Sequence, residues 1–102
     1  MITFTRTSTS TADEFPAAIA YAREIAGYVK NKIGVDLKVQ ISPAGGNPFR
    51  IRWVAQDQNL AAYEQKMQAL LSDPKYMELA GKGTAQGLFS SEKVFDEIWS
   101  DV

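Results

Sequence analysis

The chain has 102 residues, 45% hydrophobic and 11% aromatic, with a formal net charge of −1 from 11 basic and 12 acidic side chains. That length and apolar content predict one domain over residues 1–102 with a packed core and exclude wholesale disorder. The charge balance gives no electrostatic reason to expect nucleic acid or an anionic membrane as partner. Cysteine and histidine are both absent, which removes disulfides, thiol nucleophiles, thiolate metal sites, the usual general base and the usual haem ligand.

In chain order, Ile2-Thr3-Phe4-Thr5-Arg6 alternates and is rich in β-branched residues, so it predicts a first strand with Ile2 and Phe4 on one face. Thr7 to Thr11 is polar and reads as a loop. Pro16 suits the first turn of a helix, where its missing N–H costs nothing. Ile19, Ala22, Ile25 or Ala26, Val29 and Ile33 then recur at helical spacing, and Gly34 is placed to end the helix in a left-handed cap.

The most informative stretch is VDLKVQISPAGGNPFRIRWVA, Val35 to Ala55. Two runs with period-2 alternation flank the turn-forming loop Pro43-Ala44-Gly45-Gly46-Asn47-Pro48, which predicts a β-hairpin. Val35, Leu37, Val39 and Ile41 form one apolar row, and Phe49, Ile51, Trp53 and Ala55 the other. A register pairing Val39 with Ile51 and Leu37 with Trp53 puts both rows on the same side. Asp57 or Asn59 is then expected to cap a helix carrying Leu60, Tyr63, Met67, Leu70 and Leu71. Asp73-Pro74 restarts a shorter one with Tyr76, Met77, Leu79 and Ala80, after which Gly81, Gly83 and Gly87 are expected to loosen the chain. The terminal SSEKVFDEIWSDV fits a helix capped by Ser91, or a strand apolar on both faces. A sheet built from the preceding elements wants a fourth strand, so strand is taken. The whole then reads as an α+β, ferredoxin-like βαββαβ domain, a four-stranded antiparallel sheet with its helices on one face.

Three segments, YAREIAGYVKNKIGVDLKVQIS, IRWVAQDQNLAAYEQKMQALLSDPKYMELA and GLFSSEKVFDEIW, resemble small bacterial proteins of the dimeric α+β barrel superfamily. The resemblance is to its NIPSNAP-like and stress-responsive A/B barrel groups and runs from about Ala17 to Trp99. Its most specific pieces are Ile51-x-Trp53, Tyr63-Glu64, Asp73-Pro74-x-Tyr76 and Asp96-Glu97-Ile98-Trp99, mostly framework residues. It implies a homodimer in which two sheets pack face to face into a shared barrel, with the last strand reaching across. It implies no single activity, because relatives include cofactor-free monooxygenases, haem-handling proteins and members of unknown role. Without histidine, haem degradation is disfavoured.

The uncovered face of such a sheet presents Thr3, Thr5, Lys38, Gln40, Arg50, Arg52 and Val54. In a dimer this face becomes a cleft, and Lys38, Gln40, Arg50 and Arg52 are the candidate ligand-binding residues. The register above sets Lys38 across from Arg52, which destabilises unless an anion or a carboxylate lies between them. Asp96 or Glu97 would supply the carboxylate, and a small anionic or carbonyl-bearing ligand would supply the anion. Trp53 reads as core and Trp99 as an interface residue. Gly81-Lys82-Gly83-Thr84 lacks the spacing and the preceding strand of a phosphate loop. No acidic spacing matches a calcium loop, so neither cofactor nor metal is expected. The open face also lacks the exposed aromatics of an RNA-binding sheet. The expected function is a dimer that binds a small organic or anionic molecule. A cofactor-independent monooxygenase or isomerase and a structural module without ligand are the alternatives. No stretch is apolar enough to span a membrane or act as a leader, so a soluble cytoplasmic protein is expected.

Overall fold

The computed structural model describes every residue except Ser91, so the helix cap weighed at that position lies outside the described residues. The elements are β1 (Ile2–Thr9), α1 (Phe15–Ile33), β2 (Lys38–Ile41), β3 (Arg50–Asp57), α2 (Leu60–Leu71), α3 (Pro74–Ala85) and β4 (Val94–Ser100). They form one four-stranded antiparallel sheet in the order β2-β3-β1-β4, the ferredoxin-like arrangement, with the terminal segment a strand. No helix among the described residues is long and apolar enough to cross a membrane.

Pro16 lies in the first turn of α1, and Gly34 closes it at φ 71°, with its N–H donating to the Lys30 carbonyl at 2.9 Å. Lys30 and Lys32 in the last turn complement the negative end of the helix dipole. Ala18 and Ala22 have no exposed surface. Their small side chains let α1 approach β3 closely enough for Trp53 Nε1–H to donate to the Ala22 carbonyl at 3.1 Å. Ile51, Ile25, Val29, Leu70 and Leu88 complete the core with Trp53 and Tyr21. Ile51 is fully enclosed, and burying a side chain of that kind contributes about 1.5–3 kcal/mol. Asn59 caps α2 by accepting the Ala62 N–H at 2.9 Å, and Asp73 caps α3 by accepting that of Lys75 at 3.0 Å.

Four sequence expectations are corrected. The hairpin register is shifted by two residues: Val39 faces Trp53 and Ile41 faces Ile51. An even shift keeps every side chain on its expected face but changes every partner, so Lys38 stands opposite Val54 and Gln40 opposite Arg52. Thr7 to Thr9 continue β1, and Ser8, Thr9 and Ser10 are buried. The Ser10 N–H bonds to the Phe49 carbonyl, its hydroxyl to that of Leu88, and the Thr9 carbonyl accepts from Ser90. These long-range partners satisfy a polar stretch that looks like loop in isolation. Gly81 and Gly83 lie inside α3, which ends before Gly87 at φ 65°. Finally, Asp96 lies on the helix-covered face, opposite Arg6, while Glu97 is on the open face opposite Thr5. With β3 and β1 between β4 and β2, neither carboxylate is a neighbour of Lys38 or Arg52.

Candidate functional site

The ladders extend the core-facing row of β1 beyond Ile2 and Phe4 to Arg6 and Ser8, level with Trp53 and Ile51 on β3 and with Asp96 and Val94 on β4. Short or polar side chains here do not fill the space under the helices. Ser8, Ala55 from β3, and Ala80 and Gly83 from α3 leave a chamber of about 210 Å³ between sheet and helices. Its walls are aromatic: Phe4, Tyr21, Trp53, Tyr63, Tyr76 and Phe89 all reach it. Phe4 stacks with Tyr63 at a ring-centroid distance of 5.1 Å, and Phe89 meets Trp53 edge-on at 5.8 Å. Gly83 is required by proximity, because a β-carbon there would stand 2.8 Å from the Tyr21 ring. The Tyr21 hydroxyl donates to the carbonyls of Leu79 and Ala80, both at 3.0 Å, tying α1 to α3 over the chamber.

Besides the tyrosines, polar side chains reach the chamber at Arg6, Ser8, Gln56, Asp57, Lys66, Thr84 and Ser90. The Arg6 guanidinium makes a two-pronged ion pair with Asp96, Nε to Oδ1 and Nη2 to Oδ2, each at 2.8 Å. Both side chains are about half exposed. The bond to Asp96 holds Arg6 above its ordinary pKa, against the opposing effect of burial. At the rim, Lys66 Nζ pairs with Asp57 at 2.9 Å, and that hydrogen bond lowers the Asp57 carboxyl. Burial raises the hydroxyl pKa of Tyr21, Tyr63 and Tyr76, so all three are neutral donors at physiological pH. Ser8 is 4% exposed, and its side chain borders the chamber. No three acidic side chains gather into a metal-ligating group among the described residues.

On the other face, Gln40, Arg50 and Arg52 come together around an open hollow of about 560 Å³ with Thr7 and Ser42, while Lys38 stands apart beside Val54. Arg52 Nε donates to Gln40 Oε1 at 2.7 Å. Arg50 is occupied by its own loop: Nη2 bonds to Ser42 Oγ and the Gly45 carbonyl, and Nε to the Asn47 carbonyl, at 2.8–3.1 Å. The same face carries Phe95, 61% exposed, and Trp99, 64% exposed, on β4. Sequence reasoning missed Arg6, Ser8 and Tyr76 as chamber residues. The alternation of Ile2 and Phe4 carried two steps further would have placed Arg6 and Ser8 on the covered face.

No protein-family model matches the sequence, and no curated protein matches it either. Solved structures do match in fold. An uncharacterised NIPSNAP-domain protein from Burkholderia xenovorans superposes with a TM-score of 0.81 at 12% identity, covering 100% of this chain and 95% of that one. A NIPSNAP-family protein of unknown function from Agrobacterium tumefaciens gives 0.76 at 19% identity, covering 100% and 88%. A candidate antibiotic-biosynthesis monooxygenase from Deinococcus radiodurans gives 0.69 at 14% identity, covering 100% and 93%. The chain therefore shares the NIPSNAP and antibiotic-biosynthesis-monooxygenase fold, as its sequence resemblance implies.

Proposed function

We propose that this protein binds a small aromatic organic molecule in the chamber between its sheet and its helices. The observation that carries the reading is the chamber itself, walled by aromatic rings and holding several convergent polar groups, the usual make-up of a small-molecule site. A dry engineered cavity of about 150 Å³ holds benzene, so a space of about 210 Å³ suits a molecule of one or two rings. Binding is favoured over catalysis because the ionisable side chains here are paired ions or neutral tyrosines, none poised to move a proton at neutral pH. The candidate monooxygenase among the fold neighbours makes cofactor-independent oxygenation the second reading, and oxygen uptake with a bound ligand would favour it.

The open face is where we place a second copy of the chain, since Phe95 and Trp99 lie on it uncovered. In that dimer the hollow at Gln40, Arg50 and Arg52 becomes enclosed and is the competing location for a ligand. Calorimetric titration with the neutral two-ring probe 2-naphthamide separates the two locations. Chamber binding predicts at least a tenfold loss of affinity in Ala80→Leu, which fills the space, and none in Arg52→Ala. The reverse pattern would move the site to the open face.

A further inference from the structure

Charge within the chamber is balanced with no remainder. Of the ionisable side chains that reach it, Arg6 is neutralised by Asp96, Lys66 is neutralised by Asp57, and the rest are tyrosines. Asp96 itself is not part of the lining; it stands behind Arg6 and occupies Nε and one side of Nη2. The guanidinium therefore offers its remaining N–H groups, Nη1 above all, without a free positive charge. An anion entering here would give up part of its hydration beside the half-exposed Arg6 and share one guanidinium with a carboxylate already in place. A carbonyl oxygen meets neither obstacle. It can accept from Arg6 while its ring system lies among Phe4, Trp53 and Tyr76. Ser8, two residues further along the same face of β1, offers a second hydrogen-bonding group.

Building on the chamber reading, we infer that Asp96 is a specificity-determining residue. By pairing with Arg6 it makes the site select neutral carbonyl-bearing aromatic molecules, such as amides, ketones or quinones, and reject the corresponding carboxylates. Asp96 does this without touching the ligand, so it is a positioning and charge-setting residue. Its removal alters preference more than capacity.

The test compares 2-naphthamide with its near-isostere 2-naphthoate, by calorimetry at neutral pH, in the full chain and in Asp96→Asn. The wild-type protein is expected to bind the amide at least tenfold more tightly than the carboxylate. In Asp96→Asn the ratio is expected to shift toward the carboxylate by tenfold or more, because asparagine keeps a hydrogen bond to Arg6 but no longer cancels its charge. Asp96→Ser serves as the second variant should the first not fold. A wild-type preference for the carboxylate, or a ratio unmoved by either variant, overturns the inference while leaving the chamber as the binding site. Failure of both probes to bind the wild-type chain overturns the chamber reading as well.

Discussion

Tyr21 and Gly83 meet so closely that the glycine's missing side chain is part of the fold: a β-carbon on Gly83 would lie 2.8 Å from Tyr21 Cε2 and 2.9 Å from Cζ. The ring is also held by its hydroxyl, which bonds to two carbonyls of α3, so it cannot yield without losing those bonds. Gly83→Ala should therefore destabilise the chain by about 1–3 kcal/mol, the usual range for an overpacked core position. Urea unfolding checks this, and an unchanged midpoint would show that Tyr21 moves aside freely.

Trp53 combines a large buried surface with a satisfied indole N–H. Trp53→Ala should cost about 3–5 kcal/mol, as for other large aromatic truncations. Trp53→Phe should cost less, keeping most of the ring but losing the bond to Ala22, a loss of about 1 kcal/mol for a typical hydrogen bond. Comparable losses in the two variants would mean that the bond matters more than the packing.

Asp73 links pH to stability. The Tyr28 hydroxyl donates to its carboxylate and, together with the Lys75 N–H, holds the folded-state pKa below the ordinary value of 3.8. A folded pKa below the unfolded one contributes stability that is fully present above the ordinary value and is lost as pH falls through the lower one. Asp57, lowered by Lys66, acts in the same direction. Asp73→Asn should be less stable than wild type at neutral pH yet lose less on acidification below the carboxylate range. Parallel acid limbs in urea titrations of the two proteins would contradict this.

Phe95 and Trp99 face away from the helices and line no part of the chamber. Light scattering on a sizing column should give twice the 11.3 kDa chain mass for the wild-type protein. Replacing both residues by lysine should give the single-chain mass without loss of helical signal. A wild-type monomer would show that the open face is left to solvent.

The fold was legible where the signal is local. The stripe of α1, its closing Gly34, the caps at Asn59 and Asp73 and the apolar rows of the hairpin all follow from neighbours a few residues apart. The hairpin register was not, because the Pro43–Pro48 loop tolerates either pairing and a two-residue shift leaves the apolar faces unchanged. The chamber was the least legible part. Alternation alone puts Arg6 on the covered face, but nothing local marks it as a chamber residue, and its partner Asp96 lies 90 residues away in sequence. Gly81 and Gly83 read as helix breakers, whereas α3 carries both in its interior and packs Gly83 against Tyr21. The hollow at Gln40, Arg50 and Arg52 was legible as a shared face. The lashing of Arg50 to its loop was not, since its acceptors are backbone carbonyls and one hydroxyl.

The most direct test of the chamber uses the two tryptophans, one on each face of the sheet. Trp53 stands in the chamber wall, and Trp99 lies on the open face. In a proton–nitrogen NMR titration with 2-naphthamide, the Trp53 indole and Arg6 Nε–H resonances should shift together while those of Trp99 and Arg52 stay in place. Movement of Trp99 and Arg52 with Trp53 unmoved, or no movement at all, would contradict the account.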